Sequence, residues 1–226
     1  DSNSYTPKYT ASDIIEIYRN GKEIFSKVKI PLPLRCKYHA TGRLNAFTRH
    51  FGDFRLKDCL NDIIVPAVKE NELMKTFCFS SVDAKIDNSS NFKLVDVLMA
   101  TSAAPTFFPA HLIDGEGIFL DGGVHANNPA QLAYIAARNQ KIPNENIFML
   151  SLGTGSYLPE SLSESTSRGK LFWAENLVKV TLPQNEGNVD SQMYTQLGEN
   201  YKRWQVWLEN PITLDDYREE QINKLM

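Results

Sequence analysis

Gly117-Ile118-Phe119-Leu120-Asp121-Gly122-Gly123-Val124-His125-Ala126-Asn127-Asn128-Pro129 carries the reading of the fold. Gly117 to Leu120 has the length and apolar character of a buried strand. Asp121-Gly122-Gly123 breaks it, because two consecutive glycines let the backbone bend tightly with no side chains in the way. Pro129 suits the first turn of a helix and Asn128 before it can act as the cap. Leu132, Ala133 and Ala136 then share one helical face. The segment therefore predicts strand, bend, helix.

Working outward, the same alternation recurs. Upstream, Leu94, Val97, Leu98 and Thr101 have helical spacing, and that helix cannot run past Pro105. Ile63-Ile64-Val65 and Thr76-Phe77-Cys78-Phe79 read as two short buried strands. Downstream, Asn146 to Leu152 is another apolar strand, closed by Gly153-Thr154-Gly155. Strands alternating with helices predict an α/β sheet covered on both faces. Nearer the start, a helix from about Ala11 is capped by Thr10, with Asp13 completing an approximate capping box. Ile14, Ile17 and Tyr18 give it an apolar row, and Asn20-Gly21 ends it. Pro31 and Pro33 force an extended connection. A second helix holds Leu44, Phe47, Thr48 and Phe51 and stops at Gly52-Asp53. Ser161 to Ser167 reads as a surface loop, and the chain from about Gly169 as mostly helical, broken near Pro183 and Pro211.

With 226 residues, 42% hydrophobic and 23% charged, the chain suits one domain, 1–226, with a real core. A net charge of -3 gives no field that implies nucleic acid or an anionic membrane. No apolar run is long enough to span a bilayer, and the polar start Asp1 to Thr10 does not read as a signal peptide. Cys36, Cys59 and Cys78 form neither a CxxC pair nor a Cys/His cluster. The expectation is free thiols in a reducing, cytoplasmic compartment, with no disulfide framework, metal or cofactor.

Ala100-Thr101-Ser102-Ala103-Ala104-Pro105-Thr106-Phe107-Phe108-Pro109, then Asp121 to Pro129, then Ser151-Leu152-Gly153-Thr154-Gly155, together resemble the second half of the patatin-like phospholipase family domain. Weaker similarity runs from Tyr9 to Tyr201-Lys202-Arg203. The resemblance implies a patatin-like three-layer α/β sandwich with a mixed central sheet, here incomplete on its N-terminal side. It implies acyl ester hydrolysis by a Ser-Asp dyad, with Asp121 as the dyad aspartate and Gly122 and Gly123 supporting it. The expected partners are a lipid or phospholipid substrate and transient contact with a membrane surface, with no nucleic acid. The family's serine sits on a G-x-S-x-G elbow preceded by a Gly-rich oxyanion loop, and neither occurs in this sequence. The chain is therefore expected to begin downstream of the family's nucleophile, to be inactive alone, and to need the missing N-terminal half or to self-associate. The alternative reading is a non-catalytic binding or regulatory protein built on the same fold.

The chemistry asks for such an aspartate. A serine hydroxyl is a poor nucleophile until a base takes its proton, and in a dyad the carboxylate does so directly. Locally, Asp121 also fits an ordinary turn aspartate bonded to its own backbone. Ser102 is no good nucleophile, since no elbow glycine precedes it. Asn127, Asn128 and Pro129 read as structural, and Gly153-Thr154-Gly155 as a strand-exit loop without the rest of a P-loop or dinucleotide fingerprint. His125 reads as a residue on the surface or behind the site and not as part of a triad, and Trp173, Trp204 and Trp207 as core before lipid contact.

Overall fold

The computed structural model describes residues 6–28, 35–71, 74–157, 186–210 and 212–225. The expectations at Pro31 and Pro33, at Ser161 to Ser167, and at Trp173, Pro183 and Pro211 fall outside them. The contacts group into two compact units: Asp1–His125 with Asp215–Ile222, and Ala126–Leu214 with Asn223–Met226.

In the first unit, helix α1 (Ala11–Arg19) starts as its sequence predicts. Thr10 Oγ1 accepts from Asp13 N at 3.2 Å, and the Asp13 carboxylate accepts from Thr10 N at 2.8 Å. Its apolar row is a correction: Ile14 and Tyr18 are exposed and Ile15 and Ile17 half-buried. Helix α2 (Ala40–Phe51) ends where Gly52 takes φ 51, a left-handed value that glycine tolerates. Its buried face is Gly42, Arg43 and Ala46, not the row of Leu44, Phe47, Thr48 and Phe51.

Strands β1 (Ile64–Glu70) and β2 (Lys75–Ser80) form an antiparallel hairpin in which Pro66 stands opposite Cys78. Helices α3 (Ser81–Ile86) and α4 (Leu94–Thr101) follow, then β3 (His111–Ile113) and β4 (Gly117–Asp121). The sheet order is β2-β1-β4-β3, with every neighbour antiparallel. β1 is thus an interior strand, and Ala67 and Val68 are both buried although they face opposite ways. On β4 the pleat sorts Phe119 inward and Ile118 outward. α4 packs across β1 and β4. It buries Val95, Val97, Met99 and Ala100, more than one stripe, because it lies inside the unit. The core joins Leu56, Ala67, Phe79, Val97, Ala100, Ile113 and Phe119, with Phe77 and Phe92 packed against it. The Phe rings meet edge to face at 4.9 Å (Phe77–Phe79) and 5.1 Å (Phe79–Phe92). Such pairs contribute about 0.5–1.5 kcal/mol each beyond the area they bury. A short helix α5 (Gly123–Ala126) takes the chain out of β4, where the sequence predicts only a bend.

In the second unit, α6 (Ala130–Asn139) begins at Pro129, with Asn128 Oδ1 accepting from Ala130 N at 3.1 Å. β5 (Met149–Leu152) and β6 (Ser156–Tyr157) follow, then helix α7 (residues 186–197) and strands β7 (Tyr201–Trp204) and β8 (Trp207–Leu208). α8 (Glu219–Leu225), whose residues up to Ile222 belong to the first unit, closes the element order. β5 pairs with β7 and β6 with β8, both in parallel. Among the described residues of the end predicted as mostly helical, the helices are interrupted by two short strands that the helical expectation does not contain. Buried Tyr201, exposed Lys202, half-buried Arg203 and exposed Trp204 alternate with period two, the signature of a strand. Ala130, Ile147, Met193, Leu197 and Tyr201 form this unit's core. Beside it lies a polar network. Ser151 Oγ and Asn128 Nδ2 donate to Asn128 Oδ1 and Asp190 at 3.2 and 2.8 Å, and Tyr201 OH and Arg203 Nη1 donate to Asp190 and Ser151 at 2.5 and 2.9 Å.

The chain is therefore α/β, as the sequence predicts. Antiparallel and parallel pairing both occur, but in separate ladders.

Candidate active site

Asp121 is the last residue of β4, opposite Ala67. Continuing that register would bring Gly122 opposite Pro66, where the next pair of ladder bonds belongs. Proline has no N–H to give, and the ladder stops. The Gly122 amide turns instead to the Thr101 carbonyl at 3.3 Å, and the Thr101 hydroxyl donates to the Pro66 carbonyl at 2.7 Å. The Asp121 amide donates to the Ala103 carbonyl at 3.1 Å. The bend is thus tied on one side to β1 and on the other to the end of α4. A β-carbon on Gly122 would overlap the Pro66 carbonyl, so only glycine fits there.

The Asp121 carboxylate is half-buried, and its Oδ1 accepts from Gly123 N at 2.7 Å. That is the local turn bond the sequence allows for, and it fixes the plane of the carboxylate. Among the described residues Oδ2 has no hydrogen-bond donor. Burial pushes the carboxyl above the usual carboxylate range, opposed by the Gly123 amide and the charge of Arg43. A carboxyl raised in this way holds a proton more readily than an ordinary aspartate, which suits proton transfer.

Arg43 is the residue that sequence reasoning missed. It sits on the inner face of α2 and is 1% exposed. Its Nη1 donates to Ser102 Oγ at 2.7 Å and to the Met99 carbonyl at 3.1 Å, and the guanidinium lies 4.1 Å from the centre of the Phe108 ring. Burial pulls it down to about 10, so it stays charged at neutral pH. The available signal was its place three residues before buried Ala46, on a face where an arginine is out of place.

The other candidates separate clearly. Ser102 is the C-cap of α4; its Oγ receives Arg43 Nη1 and donates to the Leu98 carbonyl at 2.6 Å, so the hydroxyl is already engaged. His125 is exposed on α5, while His50 bonds Tyr9 and His111 bonds Asp96. Asn127 donates to Glu186, and Asn128, which caps α6 as its sequence predicts, belongs to the polar network. Gly153-Thr154-Gly155 is a strand exit in the second unit. Trp204 and Trp207 are 66% and 70% exposed, against the expectation of core packing. Among the described residues there is no group of His, Cys, Asp and Glu that could hold a metal ion, and no helix long and apolar enough to cross a membrane.

A strand-end aspartate at a double-glycine bend in an α/β chain defines the class to which comparison should point. Residues 4–134 match the family described as patatin-like phospholipase. The chain is 30% identical over 200 residues to patatin-like protein 1 of Arabidopsis thaliana, covering 74% of this chain and 48% of that protein. It is 32% identical over 189 residues to patatin-like protein 3 of the same plant (68% and 43%). It is 26% identical over 203 residues to a cGAMP-activated phospholipase of Pseudomonas aeruginosa (86% and 60%). The chain belongs to the patatin-like phospholipase family. It spans about half the length of the plant relatives it matches.

Proposed function

We propose that these residues are the aspartate-bearing part of a lipid acyl hydrolase of phospholipase A type, in which Asp121 is the base of a Ser-Asp dyad. The observation that carries the reading is the Asp121 carboxylate, half-buried at a strand end, with one oxygen fixed by Gly123 N and the other without a donor among the described residues. In this reading the serine comes from a part of the protein outside these 226 residues, which contain no G-x-S-x-G. Its hydroxyl gives its proton to Asp121 Oδ2 as Oγ bonds to the ester carbonyl carbon. The tetrahedral intermediate then expels the alcohol, which takes the proton back. Water, activated by the same carboxylate, cleaves the acyl-serine and releases the fatty acid. Gly122 and Gly123 support the base, the first by letting the bend press against β1 and the second by its amide. The engaged or exposed histidines favour a dyad over a triad. The phospholipase names among its relatives support a lipid ester substrate, and exposed Trp204 and Trp207 suit transient contact with a lipid surface.

The test is hydrolysis of a fluorogenic phospholipid in micelles by the complete protein. Turnover is expected, with a loss of about 10²–10⁴-fold in Asp121→Asn, the usual worth of a general base. An Asn variant with wild-type kcat would sink the assignment. The 226 residues alone are expected to give no turnover, and activity there would show that a serine of this chain serves as nucleophile.

A further inference from the structure

We infer that Arg43 is the positioning residue of the Asp121 site: its buried guanidinium fixes the end of α4 that receives the Asp121 and Gly122 amides, and it sets a permanent positive charge near the carboxylate. The inference rests on the reading of Asp121 as the dyad base.

The mechanical path runs through contacts at hydrogen-bond distance. Arg43 Nη1 bonds the Met99 carbonyl at 3.1 Å and Ser102 Oγ at 2.7 Å, and Ser102 Oγ in turn bonds the Leu98 carbonyl. These bonds pin the last turn of α4, where orphan carbonyls would otherwise want partners. A cation there is also favoured by the helix dipole. The residues flanking Ser102 supply the acceptors for the bend: Thr101 O takes Gly122 N at 3.3 Å and Ala103 O takes Asp121 N at 3.1 Å. Moving the guanidinium therefore moves the platform on which the carboxylate stands. The approach of α2 is itself fixed, because a β-carbon on Gly42 would overlap the carbonyls of Glu23 and Ile24.

The burial is costly for stability. Among the described residues, Nε and Nη2 of Arg43 are buried with no hydrogen-bond partner. Burying a charge without completing its bonds is unfavourable, and an apolar side chain of similar volume is often the more stable choice. A residue kept only for packing over Phe108 would not need the charge. Among the described residues, the ionisable groups acting on the pair are Asp121 and Arg43 on each other, with Cys36 also acting on Arg43. Pro66 and Ala67 on β1, opposite the bend, carry no charge.

The experiment compares wild type, Arg43→Met and Arg43→Lys in the complete protein. It reads the pH profile of phospholipid hydrolysis and a carbon-13 NMR titration of the Asp121 carboxyl, assigned with Asp121→Asn. Removing a nearby positive charge makes the carboxylate harder to form. Arg43→Met is therefore expected to shift the acidic limb of kcat/KM and the carboxyl titration to higher pH. It should also lower kcat about 10–100-fold, the scale of a misplaced catalytic group, with KM within about twofold. Arg43→Lys keeps the charge and loses the fork, so it should leave the acidic limb in place and lower kcat. If Arg43→Met does not fold, the Lys variant decides alone, and wild-type kcat in it overturns the inference. An unmoved profile and titration in a folded Arg43→Met overturn it too. If wild type shows no hydrolysis but the titration shifts, the hydrolase reading fails while the hold of Arg43 on Asp121 stands.

Discussion

Two glycine bends close two strands of this chain, and they are held in different ways. At Asp121-Gly122-Gly123 the constraint is backbone: Gly122 abuts the Pro66 carbonyl, and the amides on either side of its α-carbon are claimed by main-chain or fixed side-chain acceptors. At Gly153-Thr154-Gly155 the Gly153 amide also has a main-chain acceptor, the Trp204 carbonyl at 2.8 Å, but the wall beside its α-carbon is a side chain. The atoms nearest a β-carbon on Gly153 belong to the end of Gln205, whose Oε1 receives Gly155 N at 2.8 Å, and Gly155 takes φ 109. Rigid neighbours surround the first bend and a rotatable amide braces the second. A group that must hold a reacting atom in place belongs on the first kind of support.

The difference can be broken at measurable points. The largest effect is expected for Gly122→Ala, which must displace β1 or the bend. A loss on the order of 3 kcal/mol, the upper range for overpacking, should appear as a lower urea midpoint. A variant as stable as wild type would mean that the wall is soft. Gly155→Ala comes next, at about 1–2 kcal/mol for a side chain in a left-handed region, read from the same denaturation curves. Gly153→Ala should cost about 1 kcal/mol, the worth of the hydrogen bond that Gln205 must give up. Gln205→Ala alone should cost a similar amount. The double variant should cost much less than their sum, and strict additivity would show that Gln205 is not the brace.

The smallest effect concerns charge. The folded chain holds the Asp121 proton more tightly than the unfolded chain does, because burial raises the carboxyl. Stability from the protonated form is present below the ordinary aspartate value of about 3.9. It is lost as pH rises through the raised folded value. Asp121→Asn should therefore melt above wild type at pH 7, with the gap closing as the solution is acidified. Thermal melts across that range check both the sign and the closure.

Much of this was legible in the sequence, and the failures share a cause. Thr10 with Asp13, Gly52, and the strands around Phe77 and Phe119 are local signals, and the structure contains what they predict. Which face of a helix is buried depends on neighbours distant in sequence. Thus Leu44 and Tyr18 are exposed while Arg43 is buried. Trp204 and Trp207 were assigned inward by composition, yet the pleat of β7 leaves Trp204 outward and inward Tyr201 fills the core instead. Asp121 is legible as a site residue through the family resemblance of the segments around it, since its local signal fits an ordinary turn aspartate equally well. Its partner Arg43, 78 positions earlier by difference of residue numbers, leaves no mark in the local sequence that ties the two together.

Pro66 has a consequence for how the sheet assembles. If β4 slid two residues along β1, every side chain would keep its face, so hydrophobic patterning could not oppose the error. Leu120 would then stand opposite Pro66 and find no amide to bond. The imino acid thus acts as a stop against that slip, keeping the carboxylate just beyond the last rung.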